Sequence, residues 1–289
     1  AYSLLRSSGT TSIIAYYGAP MSSENSGLKL LAKKLEMFFR SGGPDHYVFE
    51  TDSMRRSATH GRGVAADRTS VVPLGTDLVR FRPEAKDAHY AHTVFDIPRS
   101  RHLVFYSGHF EERKGVAVLV RAARELVETR GRSDVHFLLL GNKHGEERPF
   151  AAMLESTPTM GHVTFGGYRN DLERLHRSCS LGAIASTGWD SMTVSSVEMA
   201  ASGLPLLVSN LQGLPETIEQ GRTGYVFPPG DHRALADLVE TLIDDQAGRL
   251  AMSHNARLRA EALYSRDDQV RNLASILSAV HASRTRTET

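Results

Sequence analysis

The stretch GWDSMTVSSVEMAASGLPLLVSN, residues 188–210, decides how this chain is read. SLGAIAST (180–187) runs into it and LPLLVSN (204–210) ends it, and both are short apolar runs of strand character. Between them, GWDSMT reads as a loop and SSVEMAAS as a short helix stopped by a left-handed Gly203. Ser195 or Ser196 is suited to cap that helix. Two acids flank the polar run, Asp190 in the loop and Glu198 near the helix start. A strand–loop–helix–strand unit brings such a loop to the carboxyl edge of a parallel sheet, where ligands bind in open α/β folds. Helix amides there attract phosphate, and carboxylates accept hydrogen bonds from sugar hydroxyls. The pair therefore suits a polyhydroxylated ligand carrying phosphate. It also fits a solvated loop acid and an ordinary helix-start glutamate, and this stretch alone leaves both readings standing.

The rest of the chain repeats the same alternation. TSIIAYYG (11–18), HYVFET (46–51), SVVPLGTD (70–77), HLVFYSG (102–108), HFLLLG (136–141) and HVTFGG (162–167) read as strands. Leu28, Leu31, Leu35, Phe38 and Phe39 recur at helical spacing, as do Leu119, Ala122, Ala123, Leu126 and Val127. Further helices are expected from Asp52, over DLERLHRSC (171–179) with Asp171 as cap, and after Asp231. Short apolar strands separated by helices predict doubly wound parallel sheets. Residues 82–101, rich in charge and proline, read as a linker, and ASRTRTET at the end as a frayed tail.

Composition removes several classes of function. The 289 residues hold 34 Lys and Arg against 33 Asp and Glu, so a net charge of +1 gives no cause to expect nucleic acid as a partner. No apolar run is long enough for a transmembrane span. Cys179 is the single cysteine, so no internal disulfide can form; it is expected to pack a helix, and the usage fits a cytoplasmic protein. His89 and His92 share one helical face but lack a matched set of acids, so no metal site is expected. LLLGNKHGEE has Lys143 at the wrong spacing for a phosphate-binding Walker loop, and GRGVAADR (61–68) reads as a surface turn. The chain starts at Ala1 without a signal-peptide pattern, and a missing natural beginning is expected.

Four segments together carry a resemblance: Asp190 and Glu198 eight positions apart followed by AASGLPLLVSN, then NLQGLPETIEQGRTGYVFPPGD (210–231), VVPLGTDLVRFRP (71–83) and GHFEERKG (108–115). The combination resembles the family-4 retaining glycosyltransferases of GT-B fold and extends over residues 11–275. The resemblance implies an α/β fold with a complete Rossmann-like donor domain at 102–275 and part of a second, acceptor-side domain at 1–81, truncated at its amino-terminal side. Residues 276–289 would be a helix end and tail. It implies Glu198 as the acceptor for the donor ribose and Asp190 as a contact for the transferred sugar. The backbone of Ser191, Met192 and Thr193 would lie near sugar and phosphate, while Gly108, His109 and Lys114 hold the diphosphate. Asp190, Lys114 and Glu198 would be the catalytic set, with a nucleotide-diphosphate sugar as donor substrate and no cofactor or metal. The acceptor stays open among a glycan, a lipid-linked molecule and a small molecule, and so does a peripheral place at the inner membrane face. The sequence departs from the family where Asp190 replaces a glutamate, His109 an arginine, and Tyr17, before Gly18, a histidine. The glycine-rich loop expected early in the first domain is absent. Two other readings remain: a non-catalytic nucleotide-sugar-binding remnant, and a sugar-nucleotide epimerase on the same architecture.

Overall fold

The computed structural model describes residues 2–39 and 43–287. The side chain of Phe38 and residues 288–289 of the expected tail lie outside the described residues. Two parallel sheets carry the α/β fold. The first has three strands in the order β1-β2-β3, with β1 at Ile14–Tyr17, β2 at His46–Phe49 and β3 at Thr69–Val71. The second comprises β4 (His102–Ser107), β5 (Val135–Leu140), β6 (Val163–Phe165), β7 (Leu181–Ile184), β8 (Leu206–Ser209) and β9 (Gly224–Phe227). Its spatial order is β6-β5-β4-β7-β8-β9, and every pairing is parallel.

That order contains the feature that positions the site. The chain builds outward from β4 through β5 to β6, then returns to the other side of β4 to lay down β7. The loops leaving β4 and β7 therefore diverge to opposite faces and open a crevice at the carboxyl edge, the topological switch point.

The central strands are apolar on both faces because helices cover both. Val104 and Tyr106 of β4 enter one core cluster with the helices Val116–Arg124 and His232–Asp244. Leu103 and Phe105 enter the other, with Val197, Met199 and Ala200 of the helix Val194–Ala201. Asp231 caps its helix as expected, accepting from the amides of Arg233 and Ala234.

Several local expectations change. Residues 82–101 carry two short helical turns, Ala85–Asp87 and Tyr90–Val94, and bury Ala91 and Ile97 in the core. Asp87 fixes the segment to the second sheet's helices through Arg177 (2.7 Å) and Arg174 (3.1 Å). The elements are too short to show a period, which is why the sequence reads as a linker. Asp171 does not cap with its side chain; its carboxylate accepts from Arg169 and Tyr90 instead. The segment ASRTRT is not frayed. It completes a helix from Arg266 to Thr287, pinned to the first sheet's unit where Arg284 donates to Thr11 O (2.7 Å) and pairs with Asp45. The helix Gly27–Phe39 forms, but Leu28, Leu31 and Leu35 on its apolar face are exposed.

The second sheet also encloses two neutral histidines. His136 on β5 bonds Thr164 Oγ1 at 2.8 Å, and His176 lies edge-on to Phe105 with Nδ1 at 3.0 Å from Ser202 Oγ. Burial pushes each down to about 3 from the usual 6.5. Between those two values the unfolded chain holds a proton that the folded chain refuses, so stability falls as pH drops below 6.5. Chemical denaturation at pH 7 and pH 5 should show a loss of about 2 kcal/mol per histidine at most. His176→Gln should reduce that loss by about 2 kcal/mol at most; an unchanged slope would assign the acid sensitivity elsewhere.

Candidate active site

The loop after β4 and the loop after β7 are joined at the switch point. Gly115 has φ 72°, and a Cβ there would stand 1.7 Å from the carbonyl oxygen of Ala185, so only glycine lets the two loops approach. The amides of Thr187 and Gly188 donate to Arg113 O at 2.7 and 3.2 Å. The Arg113 guanidinium in turn donates to Trp189 O and lies 4.0 Å from the Trp189 ring centroid. Asp190 N donates to Gln212 Oε1 at 3.1 Å, tying the loop to the segment after β8.

Lys114 and Asp190 meet inside this lacing. Lys114 Nζ lies 3.0 Å from Oδ1 and 2.9 Å from Oδ2, with side chains 16% and 6% exposed. Ser186 Oγ donates to Oδ2 at 2.6 Å, and the amide of Ser191 donates to Oδ1 at 3.0 Å. A carboxylate offers about four acceptor positions, so these contacts fill it. The expectation that Asp190 contacts a sugar hydroxyl thus meets a carboxylate already occupied. What the geometry gives Asp190 is the task of fixing Lys114.

Thr193, rather than Ser195 or Ser196, caps the helix Val194–Ala201. Its hydroxyl accepts from Ser196 N at 3.0 Å, and Ser196 Oγ accepts from Thr193 N at 3.2 Å, a reciprocal capping box. Ser195 is thereby free to pair with Ser107 Oγ at 2.6 Å, linking the helix start to the end of β4. Glu198 falls in the middle of this helix rather than near its start.

Two adjoining cavities follow. One, about 400 Å³, is lined by Lys114, Asp190, Met192, Thr193 and, from the first sheet, Gly18 and Glu50. The other, about 310 Å³, holds Glu198 with Lys143, Tyr168, Arg169 and Leu172. Ser107, Gly108, His109, Val194 and Ser195 border both, so the two form one elongated cleft. Gly108 and Gly141 keep its floor narrow: a Cβ on Gly141 would meet Gly108 O at 2.4 Å, and Tyr106 Oη donates to His109 O at 2.9 Å. Burial, opposed by Arg80 and reinforced by Glu173, pushes the Glu198 carboxyl up to about 7.

The residues singled out from sequence therefore fall along one cleft, with Lys114 and Asp190 in contact and Glu198 in the neighbouring cavity. Ser191 is buried and lines neither cavity, and Met192 borders the larger of the two while its side chain packs into the core. Tyr17 stacks on Tyr47 and Phe49 and lines neither cavity. His89 and His92 contact each other, yet no metal-binding cluster of His, Cys, Asp or Glu occurs among the described residues. Cys179 donates to Leu175 O, in keeping with a helix-packing thiol. A further cavity, about 510 Å³ beside Lys34, Arg55 and Arg68, holds none of the expected site residues. Glu50 and Trp189 were not anticipated; an acid directly after the apolar run HYVF was the signal for Glu50.

Removing one member of the ion pair strands the other in a poorly hydrated site. Asp190→Leu should lower unfolding free energy by about 3 kcal/mol, and the double change with Lys114→Met should recover most of it. Denaturant titration of the three variants checks this. Equal losses for the single and double variants would mean that the pair is not coupled.

Residues 91–259 match the family model described as "Glycosyl transferases group 1". The chain is 26% identical over 239 residues to a D-inositol 3-phosphate glycosyltransferase of Corynebacterium urealyticum, covering 80% of this chain and 56% of that one. It is 30% identical over 224 residues to the enzyme of that name from Pseudarthrobacter chlorophenolicus, covering 76% and 52%. The chain spans about half the length of the curated relatives it matches. The structure of Anabaena HepE in complex with UDP superposes with a TM-score of 0.77 at 20% identity, over 93% of this chain and 72% of that one. These likenesses establish the GT-B arrangement of Rossmann-like sheets. No helix among the described residues is long and apolar enough to cross a membrane. The family match covers more than half of the sequence and includes both cleft loops, and the chain accordingly belongs to the group 1 glycosyl transferases.

Proposed function

We propose that the cleft binds a nucleoside-diphosphate sugar and that the chain takes part in transferring its sugar, with retention of configuration, to a hydroxyl acceptor. The observation that carries this reading is the elongated cleft joining the Lys114 cavity to the Glu198 cavity across Gly108 and His109. A nucleotide sugar has its diphosphate between ribose and sugar. With the ribose at Glu198, the diphosphate runs past Gly108 and His109 to Lys114, and the sugar enters the wider end lined by Met192 and Thr193.

In this reading Lys114 neutralises the leaving diphosphate, a part that cationic side chains can take without a metal. Asp190 acts by holding the Lys114 ammonium in place, which lowers the reorganisation needed as charge develops. Glu198 accepts hydrogen bonds from ribose hydroxyls. His109 borders both cavities and would face the diphosphate, where the family has an arginine. The names of the relatives support an acceptor rich in hydroxyl groups, a small polyol or a glycan, and UDP in HepE makes uridine nucleotides the first to try. The reaction would take place in the cytoplasm.

Calorimetry against uridine, guanosine and adenosine diphosphates tests donor binding directly, and release of nucleoside diphosphate in the presence of polyol acceptors tests transfer. Binding without any turnover would favour a donor-binding remnant, and isomerised donor in the absence of acceptor an epimerase.

Glu198 makes the sharpest prediction. Hydrogen bonds to a charged carboxylate contribute about 1.5–3 kcal/mol each, so Glu198→Gln should weaken uridine binding roughly 10- to 100-fold while leaving the fold intact. Ionised Glu198 is the better acceptor, so uridine affinity should rise several-fold between pH 6 and pH 8 as a group near 7 loses its proton. Unchanged affinity in the variant, with a normal melting curve, would remove Glu198 from the ribose site.

A further inference from the structure

Glu50 has no part in the reading above, yet it faces the same cavity. It follows β2 directly, at the carboxyl edge of the first sheet, and is 7% exposed. Its Oε2 is buried and makes no well-formed hydrogen bond, although the equally unpaired Ser191 hydroxyl acts on the carboxyl, and Oε1 lies against the backbone of Gly18, where a Cβ would stand 2.6 Å away. Across the cavity are His109, Arg113, Lys114 and Asp190.

None of the nearby cations serves Glu50. Lys114 is committed to both oxygens of Asp190, and Arg113 to Glu111 and Trp189. No Lys or Arg forms an ion pair with Glu50 among the described residues. The groups that act on it come from the loop after β7, the Ser191 hydroxyl and the Asp190 charge, and Glu50 in turn raises the Tyr16 phenol of β1. Burial first, then Asp190, push the Glu50 carboxyl up to about 7, against the opposing Ser191 hydroxyl. A diphosphate entering this cavity adds negative charge, which favours the protonated form further.

We propose that Glu50 meets the donor diphosphate as a neutral carboxylic acid and donates its proton in a hydrogen bond to a phosphate oxygen. The proposal rests on the nucleotide-sugar reading of the cleft. A buried carboxylate with no cation beside it could only repel that ligand, whereas the neutral acid supplies a directed donor from the first sheet. The two sheets would then grip the diphosphate from opposite sides, Lys114 by charge and Glu50 by a hydrogen bond. As the sugar leaves and negative charge grows on the diphosphate, the Glu50 hydrogen bond strengthens without the proton changing owner.

The sign of the pH effect follows. If the complex holds a proton that the free protein loses above pH 7, donor affinity is lost as pH rises, by up to tenfold per unit. This is opposite to the effect expected from Glu198, so two ligands separate them. Uridine lacks phosphate and reports on Glu198 alone; UDP-glucose, whose diphosphate does not titrate in this range, reports on both.

The test is calorimetry with UDP-glucose and with uridine from pH 6 to 8.5, for the native chain and for Glu50→Gln, Glu50→Ala and His109→Gln. The glutamine amide keeps an N–H donor at every pH. Glu50→Gln should match the native chain near pH 6 and bind UDP-glucose roughly 10- to 30-fold more tightly than it at pH 8.5. Glu50→Ala should bind UDP-glucose roughly tenfold more weakly at pH 6, and neither variant should change uridine affinity. His109→Gln should retain the native difference between the two pH values. In native protein at pH 8, binding enthalpies in buffers of different ionisation heat should report uptake of nearly one proton, a readout that needs no folded variant. Parallel native and Glu50→Gln curves, zero proton uptake, or loss of the pH effect in His109→Gln instead would overturn the proposal while leaving the donor site standing. Failure of the native chain to bind either ligand would overturn the donor reading itself.

Discussion

A lysine and an aspartate taken out of water at the ends of two adjacent strands lose several kcal/mol of hydration each before their attraction is counted. Lys114 and Asp190 recover this because every remaining position on the carboxylate is filled by Ser186 and the Ser191 amide. The pair has a structural consequence beyond its own energy. It ties the loop leaving β4 to the loop leaving β7 where the sheet order reverses, and so sets the width of the cleft. Gly115 permits the approach and Arg113 reinforces it through Thr187, Gly188 and Trp189.

The second constraint is the joint between the sheets. Glu216, in the turn Leu214–Thr217, accepts from the amides of Asp52 and Ser53 at 2.7 Å each, so an acid from one unit caps the first turn of a helix from the other. The helix Arg266–Thr287 returns to the first sheet, where the Gln269 side chain accepts from the amide of Gly75 and donates to Tyr16 Oη. These contacts hold Gly18 and Glu50 opposite the Lys114 pair. The cleft is therefore asymmetric in charge. Its basic groups stand on the second sheet, while the first sheet presents a carboxyl that has no cation to pair with.

The sequence by itself determined the parallel α/β architecture. Strands such as HLVFYS and VHFLLL are apolar on both faces, which only a sheet covered by helices on both sides can satisfy. It also determined which loops matter, because strand ends in such a sheet share one edge, and Lys114, Asp190 and Glu198 all fall there. The tertiary structure decided the rest, since pairing between distant residues leaves no local period. It made Asp190 the partner of Lys114 across 76 positions, a choice invisible to spacing. It gave the capping role to Thr193, because the backbone turned two residues earlier than the run of serines suggested. It drew 82–101 and the carboxyl-terminal segment into order through Asp87 and Arg284, charged residues whose value lies in remote partners. And it set Glu50 against the cleft, because a strand-end acid acquires its meaning only from what the opposite sheet places before it.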